Sequence, residues 1–235
     1  SKKYLSELAS EIGVKEKTMF EFIQVKYKNI IDLPTLLINK GKITSFVGAS
    51  GSGKSTILKM LNKMISPTEG RIMFNGKDLK EIKSIEHRRN VTMLSQNSVM
   101  FEGTIRDNLI IALRFQQKEI LGDEDFNKIL EQVYLEKGLD TSVNNLSGGE
   151  KQRLALGRVL LLSPEVYLLD EPSSALDDDT EEIIIQMLTK HAKNTGKTII
   201  MVTHSKAMAE KYSDKVIEIS KGKVLNRMCK NERNN

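Results

Sequence analysis

The segment that decides the fold is residues 42–64, KITSFVGASGSGKSTILKMLNKM. Its first seven residues form an apolar strand pattern that ends at glycine, and its last ten have the apolar spacing of a helix. The stretch between, GASGSGKST, fits G-x-x-x-x-G-K-[ST]. A flexible turn would explain the glycines, but it does not explain why Lys54 and Ser55 follow at once. The strand, loop and helix together predict a phosphate-binding loop.

This loop has the chemistry that a nucleoside triphosphate needs. Its glycines allow successive N–H groups to point inward, and the following helix directs its positive end at the same place. Lys54 is predicted to reach the β- and γ-phosphates, and the Ser55 hydroxyl to bind Mg²⁺. The predicted binding residues of the loop are Gly48, Ala49, Ser50, Gly51, Ser52, Gly53, Lys54, Ser55 and Thr56.

A second segment, VYLLDEP (166–172), reads as a buried strand that ends in two adjacent carboxylates. Asp170 is predicted to hold Mg²⁺, directly or through water, and Glu171 to polarise the attacking water. Taken alone, the two carboxylates could equally be the solvated end of a strand. Because a phosphate loop belongs to the same fold, the catalytic interpretation is favoured.

The segment LSGGEKQR (146–153) places two glycines at the start of a helical pattern, where glycine disfavours a helix. It could be a loop that ends there, or it could present bare N–H groups to an anion. With this segment added, the sequence resembles the ATP-binding cassette (ABC) family from about Phe20 to Leu225. The motifs match that family in order and in spacing.

The resemblance implies a role for each matching residue. Gln96, in LSQ, would be the glutamine that coordinates Mg²⁺ or water and couples the site to a helical subdomain. Asp170 would bind the metal, Glu171 would be the catalytic base, and His204 would contact the γ-phosphate and the attacking water. The implied catalytic set also contains Lys54, and the segment SALD (174–177) matches the family's D-loop.

The resemblance also answers which anion the glycines of LSGG would meet. In this family it is the γ-phosphate of an ATP held by the other subunit, so Ser147, Gly148 and Gly149 would complete a partner's site. We therefore expect a head-to-tail homodimer around two ATP molecules. The cofactors implied are ATP and Mg²⁺.

The adenine contact departs most from the family's pattern. Tyr27 is the nearest aromatic candidate for stacking on the base, while the position that is commonly aromatic is Asn29. The hairpin between Lys28 and Lys40 also looks short for this role.

The fold class predicted is α/β, with a mostly parallel P-loop NTPase core, an N-terminal antiparallel β subdomain and an inserted helical subdomain. The expected divisions are an N-terminal helical extension (1–18), an ABC ATPase domain (19–228) made of a core (19–96 and 164–228) and a helical subdomain (97–163), and a polar tail (229–235).

The composition restricts the partners and the location that we expect for this chain. The net charge of +5 comes from scattered basic residues without interleaved aromatics, so we expect no nucleic-acid partner. Apolar runs such as VLLL fall far short of the roughly 18–20 residues that span a bilayer, and residues 1–18 carry no apolar signal segment. The one cysteine fits a cytoplasmic setting. His87 and His191, in polar helical contexts, are interpreted as surface residues.

The sequence is compatible with three functions. The favoured one is a transport ATPase on the cytoplasmic face of the membrane, whose permease is a separate transmembrane subunit. The alternative is a non-transport ABC ATPase acting on nucleic acid or ribosomes, although such proteins usually carry two cassettes or a long coiled coil. A regulator without hydrolysis is disfavoured because Glu171 and His204 are both present. The segment FEGTIRDNL (101–109) resembles Q-loop regions of exporter cassettes and of some small bacterial metal or phosphate systems. This resemblance implies a bacterial inorganic-ion transporter, most similar to iron-export-type or phosphate-type cassettes.

Overall fold

The structure is a computed structural model, and it describes residues 17–230. An antiparallel sheet is formed by β1 (Thr18–Tyr27), β2 (Ile31–Asn39), β4 (Glu69–Phe74) and β5 (Lys77–Asp78). Its strand order is β2-β1-β4-β5.

The second sheet has six strands: β3 (Ile43–Val47), β6 (Val91–Leu94), β7 (Val166–Asp170), β8 (Thr198–Val202), β9 (Lys215–Ser220) and β10 (Lys223–Cys229). Their order is β10-β9-β3-β8-β7-β6. All neighbouring pairs are parallel except β9 and β10, which are antiparallel. Every residue of β3, β7 and β8 is buried, as parallel strands covered on both faces require.

Helices cover this sheet and fill the interval between β6 and β7. They are α1 (Lys54–Leu61), α2 (Ser84–Asn90), α3 (Ile105–Phe115), α4 (Asp123–Gln132), α5 (Gly148–Leu162), α6 (Asp178–Thr195) and α7 (Lys206–Tyr212). Two short 3₁₀ turns lie at Leu79–Glu81 and Val143–Asn145. Among the described residues between β6 and β7, strand-like pairing is limited to the Thr104–Ser142 bridge.

The core has two layers because side chains alternate along the parallel strands. Leu168 of β7 and Ile200 of β8 pack on the antiparallel sheet and α1, whereas Tyr167 and Met201 pack on the opposite face with α3 to α6. The predicted α/β class, with its parallel core, antiparallel β unit and inserted helices, is confirmed.

Several details differ from the sequence predictions. Residues 28–40 do not form a hairpin of their own: they contain a turn and the strand β2, which pairs with β1 from Thr18–Asn39 to Tyr27–Ile31. Thr18, placed in the N-terminal extension, begins β1, and Cys229, placed in the polar tail, ends β10. The rest of the predicted extension, apart from Lys17, and residues 231–235 lie outside the described residues.

The two histidines interpreted as surface residues are packed inside. His87 is 1% exposed because α2 lies against the antiparallel sheet, where its ring meets Phe20 and Phe74 edge to face. His191 is half-buried, and its Nε2 atom lies 3.0 Å from the Tyr167 hydroxyl. Their polar sequence neighbours concealed both positions, so the surface prediction is wrong for both.

Candidate functional site

The carboxyl ends of the parallel strands bring the predicted site residues to one edge of the sheet. The loop 48–53 follows β3, Gln96 follows β6 after one residue, and Asp170 ends β7. His204 follows β8 after one residue. This edge is where α/β sheets bind their ligands, so the topology alone assembles residues that are far apart in sequence.

The loop 48–53 needs glycine at its two ends. Gly48 has φ 143°, and a Cβ there would lie 2.1 Å from the Ile219 carbonyl oxygen. Gly53 has φ 105°, and a Cβ there would lie 2.6 Å from Ile31 Cδ1. The tip at residues 49–51 is exposed, and Ser55 and Thr56 lie in the first turn of α1. The loop is thus pressed onto β9 and β2 while its tip stays open.

The Lys54 ammonium lies inside the loop. Its Nζ atom donates to the carbonyl oxygens of Gly48 at 2.7 Å and Ala49 at 2.8 Å, and to Ser52 Oγ at 3.3 Å. The residue is 5% exposed, and this burial lowers the pKa of the amine, while Glu171 and Asp170 act in the opposite direction. A cation is therefore held inside the loop by the loop's own oxygens, and its charge interacts with the carboxylates of Glu171 and Asp170.

Asp170 offers oxygen ligands for a cation. Burial raises the pKa of its carboxyl group, and a hydrogen bond from Ser55 partly opposes that rise. Its Oδ1 atom is buried and has no hydrogen-bond partner. An unpaired carboxylate oxygen beside a serine hydroxyl is the donor chemistry that Mg²⁺ prefers, so these two residues fit the metal predicted for them.

Side chains that follow the strands β6 and β8 both contact Glu171, which follows β7. Its Oε2 atom accepts a hydrogen bond of 2.9 Å from Gln96 Nε2, and its Oε1 atom lies 2.5 Å from His204 Nε2. Its backbone has φ 50°, and its N–H donates to the Val202 carbonyl oxygen at 2.9 Å. The side chain is thereby fixed beside the loop by two residues that the sequence had also assigned to the site.

The LSGG segment forms the beginning of α5. Ser147 is the N-cap: its Oγ atom accepts from Glu150 N–H at 3.2 Å, and its own N–H donates to Glu150 Oε2 at 2.8 Å. Ser147 and Gly148 are exposed, and a Cβ at Gly148 would meet nothing within 4 Å. Within residues 17–230, no hydrogen bond or ion pair joins Ser147–Gly149 to the loop 48–53. The exposed N-terminus of α5 is therefore not bonded to the chain's own loop within these residues.

The structure adds one residue that sequence reasoning missed. Gln152, on α5, bonds to the segment 171–175 through both ends of its amide. It is three residues after Gly149, so it lies on the same helix face, but this spacing does not indicate which segment that face contacts. Two residues after this segment, Asp177 caps α6 by accepting from Thr180 N–H at 3.0 Å.

Tyr27 lies at the end of β1, beside the turn that contacts the loop. Ile30 N–H donates to the Tyr27 carbonyl oxygen at 3.0 Å, and the Ile30 carbonyl oxygen lies 3.5 Å from the Cβ position of Gly53. The Tyr27 ring is half-buried, with Lys28 Nζ 5.2 Å from its centre. Ile30 is 42% exposed, so this turn offers an apolar side chain as well as the aromatic one.

Comparison with known proteins identifies the family. The ABC transporter family model matches residues 32–174, which is more than half of the chain. The methionine import ATP-binding protein MetN of Haemophilus ducreyi is 35% identical over 216 residues, covering 89% of this chain and 63% of that protein. The chain thus spans less than two thirds of this relative.

Solved structures give the same result. A bacterial Atm1-family ABC exporter with ATP bound matches with a TM-score of 0.81 at 27% identity, covering 92% of this chain and 40% of the exporter chain. The dimeric ATP-binding cassette MJ0796, in a post-hydrolysis state with ADP and Pi, has a TM-score of 0.78 at 28% identity, covering 90% and 98%. The fold and the site define a P-loop nucleotide-binding protein. The chain belongs to the ABC transporter family.

Proposed function

We propose that this chain is the ATP-binding and ATP-hydrolysing subunit of a membrane ABC transporter. The observation that carries the proposal is the convergence on Glu171 of Gln96 and His204, beside Asp170 and the buried Lys54. These residues come from four separate strand ends, and together they can bind a triphosphate, hold a cation and orient a water molecule.

Each residue has a role in this proposal. Lys54 and the N–H groups of the loop 48–56 bind the β- and γ-phosphates, and Ser55, Asp170 and Gln96 hold Mg²⁺. The metal supplies charge neutralisation at the β- and γ-oxygens. Glu171 accepts a proton from the attacking water as it approaches the γ-phosphorus.

His204 keeps the Glu171 carboxylate in place and donates to the γ-phosphate. Tyr27 is the proposed contact for the adenine base. The turn to which Tyr27 belongs contacts the loop at Gly53, which places this edge of the antiparallel sheet beside the site.

A second copy of the chain completes each site. Ser147 and Gly148 are exposed at a helix N-terminus that has no bond to the chain's own loop among the described residues. Because the Ser147 oxygen acts as an acceptor in its cap, its O–H can still donate to an anion. We propose that Ser147, Gly148 and Gly149 bind the γ-phosphate held by the partner, in a head-to-tail homodimer. The related cassette MJ0796 is itself dimeric.

The partner in the membrane is proposed to dock on an apolar surface next to Gln96. Val99 is 69% exposed and Phe115 is 71% exposed, and the Phe101 and Phe115 ring centres are 5.5 Å apart. Ile120, five residues after Phe115 in the sequence, is 44% exposed. None of the described helices is long and apolar enough to span a bilayer. We propose that the apolar surface binds a transmembrane permease subunit, which would hold the chain at the cytoplasmic face of the membrane.

Residues 97–163 are proposed as the helical subdomain that carries this surface and the LSGG segment, and 19–96 with 164–228 as the core. The transport names of the relatives favour transport over action on nucleic acid. One relative is named for methionine import and another for export, so the bacterial inorganic-ion substrate remains a prediction from residues 101–109.

The test is Glu171→Gln, which keeps the shape of the side chain and removes the base. We expect ATP hydrolysis to fall about 10² to 10⁴-fold while ATP binding persists. Light scattering should show a monomer without nucleotide and a stable dimer with ATP. Glu165→Gln is the matched control, because Glu165 lies just before β7, at its opposite end, and pairs with Lys40. Undiminished hydrolysis in Glu171→Gln, or a persistent monomer at saturating ATP, would overturn the proposal.

A further inference from the structure

Gln152 connects the LSGG helix to the segment that follows β7. Its Nε2 atom donates to the Glu171 carbonyl oxygen at 3.1 Å and to Ser174 Oγ at 3.1 Å. Its Oε1 atom accepts from Ala175 N–H at 3.0 Å. One amide side chain thus makes three hydrogen bonds to a five-residue stretch, and both of its polar atoms are used.

The first turn of α5 lies directly on the same stretch. A Cβ at Gly149 would be 3.1 Å from the Ala175 carbonyl oxygen and 3.1 Å from Leu176 Cδ2. Gly149 and Gln152 share a helix face, so the first turns of α5 contact residues 171–176 through packing and hydrogen bonds together.

Glu171 depends on this support because its backbone is strained. A glutamate at φ 50° persists only where neighbouring groups hold it there. Its N–H is bonded to the Val202 carbonyl oxygen at 2.9 Å. Its carbonyl oxygen accepts from Gln152, and from Ser174 N–H at a longer 3.3 Å. The orientation of the peptide that carries the catalytic carboxylate is therefore set partly by α5.

We propose that Gln152 is a positioning residue that links the two ATP sites of the dimer. It joins the LSGG turn, which binds the partner's nucleotide, to Glu171, which acts on the chain's own nucleotide. This inference rests on the proposed function. Engagement of the partner's γ-phosphate at Ser147–Gly149 orders Glu171 through Gln152, so each site is activated when the other is closed.

The test is Gln152→Ala in the full chain, with steady-state ATPase kinetics and ATP binding by calorimetry. We expect kcat to fall about 10- to 100-fold, because the base is misplaced, while the Kd for ATP is unchanged. The Hill coefficient for ATP should fall towards 1. Gln152→Glu keeps an acceptor for Ala175 N–H but loses both donated bonds, so it should show the same loss of kcat.

Gln186→Ala is the control, because Gln186 lies on α6 and donates to the Tyr212 hydroxyl, away from the site. A second readout does not depend on activity: amide hydrogen exchange at Ala175 should be faster in Gln152→Ala than in the wild type. If Gln152→Ala keeps the wild-type kcat and Hill coefficient, or if exchange at Ala175 is unchanged, the inference is overturned. The proposed function would still stand. A wild-type chain that hydrolyses no ATP would overturn the proposed function and the inference with it.

Discussion

The amide of Gln96 and the carboxylate of Glu171, 75 residues apart in the chain, are joined by a hydrogen bond of 2.9 Å. Gln96 donates to Oε2, while His204 approaches the other oxygen. Gln96 also begins the stretch that runs through the exposed Val99 to α3. The residue proposed to activate water is therefore in direct contact with the start of the surface proposed for the permease.

This contact predicts that Gln96→Ala separates hydrolysis from transport. The variant keeps Lys54, Asp170 and Glu171, so ATP binding should persist and basal ATPase should fall moderately. Transport in vesicles reconstituted with the permease should fall further, because the link between the site and the docking surface is lost. Asn97→Ala, at an exposed neighbouring position, is the control. Equal losses of transport and hydrolysis would contradict the coupling role.

Lys54→Ala should remove most triphosphate binding. Hydrogen bonds to charged groups contribute roughly 1.5–3 kcal/mol each. The loss of one such bond should therefore raise the Kd for ATP by about 10-fold or more. Lys54→Met keeps the length of the side chain and should show the same loss, which would assign the effect to charge. Calorimetry with ATP is the measurement, and Lys77→Ala, on the exposed β5 strand, is the control. Near wild-type affinity in Lys54→Met would refute the assigned cradle.

The parts of the site that sequence could predict are those with local chemistry. The loop 48–56 requires glycines, a lysine and a hydroxyl within one turn, and Asp170 and Glu171 sit at the end of one buried strand. Parallel strands then bring Gln96 and His204 to the same edge, whatever their separation in sequence.

What sequence could not predict are contacts between segments whose packing depends on the whole fold. The three bonds of Gln152 require α5 to lie on residues 171–176, and nothing local specifies that approach. The burial of His87 likewise depends on α2 packing against the antiparallel sheet, while Arg88 and Arg89 beside it indicate a surface. Both cases are tertiary contacts without a local pattern.

The burial of the His87 ring predicts that the protein loses stability in mild acid. Its Nε2 atom pairs with the Leu61 carbonyl oxygen at 2.7 Å, and its buried Nδ1 atom has no partner. Burial is the main cause that lowers the pKa of the ring below its ordinary 6.5, and Lys63 and Arg88 add to it. The unfolded chain therefore takes up a proton more readily. The contribution of His87 to the free energy of unfolding is therefore fully present above about pH 6.5, and it is lost as the pH drops towards the pKa of the folded state.

Chemical denaturation between pH 5 and 7 measures this effect. The free energy of unfolding should decrease with falling pH, and His87→Gln should reduce the slope because it removes the titrating group. His191, whose pKa is also lowered by burial, should contribute separately, so His191→Gln should reduce the slope further in the double variant. An unchanged slope in His87→Gln would show that the buried ring does not control stability in this range.

Gly148→Asp should weaken the ATP-induced dimer without destabilising the folded chain. A side chain at Gly148 meets nothing within 4 Å, and an aspartate in the first turn of α5 favours the helix through its dipole. The melting temperature should therefore stay the same or rise. The added carboxylate lies where the partner's γ-phosphate is proposed to bind, and like charges brought together cost several kcal/mol. In the Glu171→Gln background, the ATP-induced dimer should weaken by roughly 100-fold or more.

Gly122→Asp is the matched control, because Gly122 caps α4 and also has open space around it. Light scattering at saturating ATP should show a dimer for the control and a monomer for Gly148→Asp. A dimer that survives Gly148→Asp would mean that the LSGG turn does not meet a partner's phosphate.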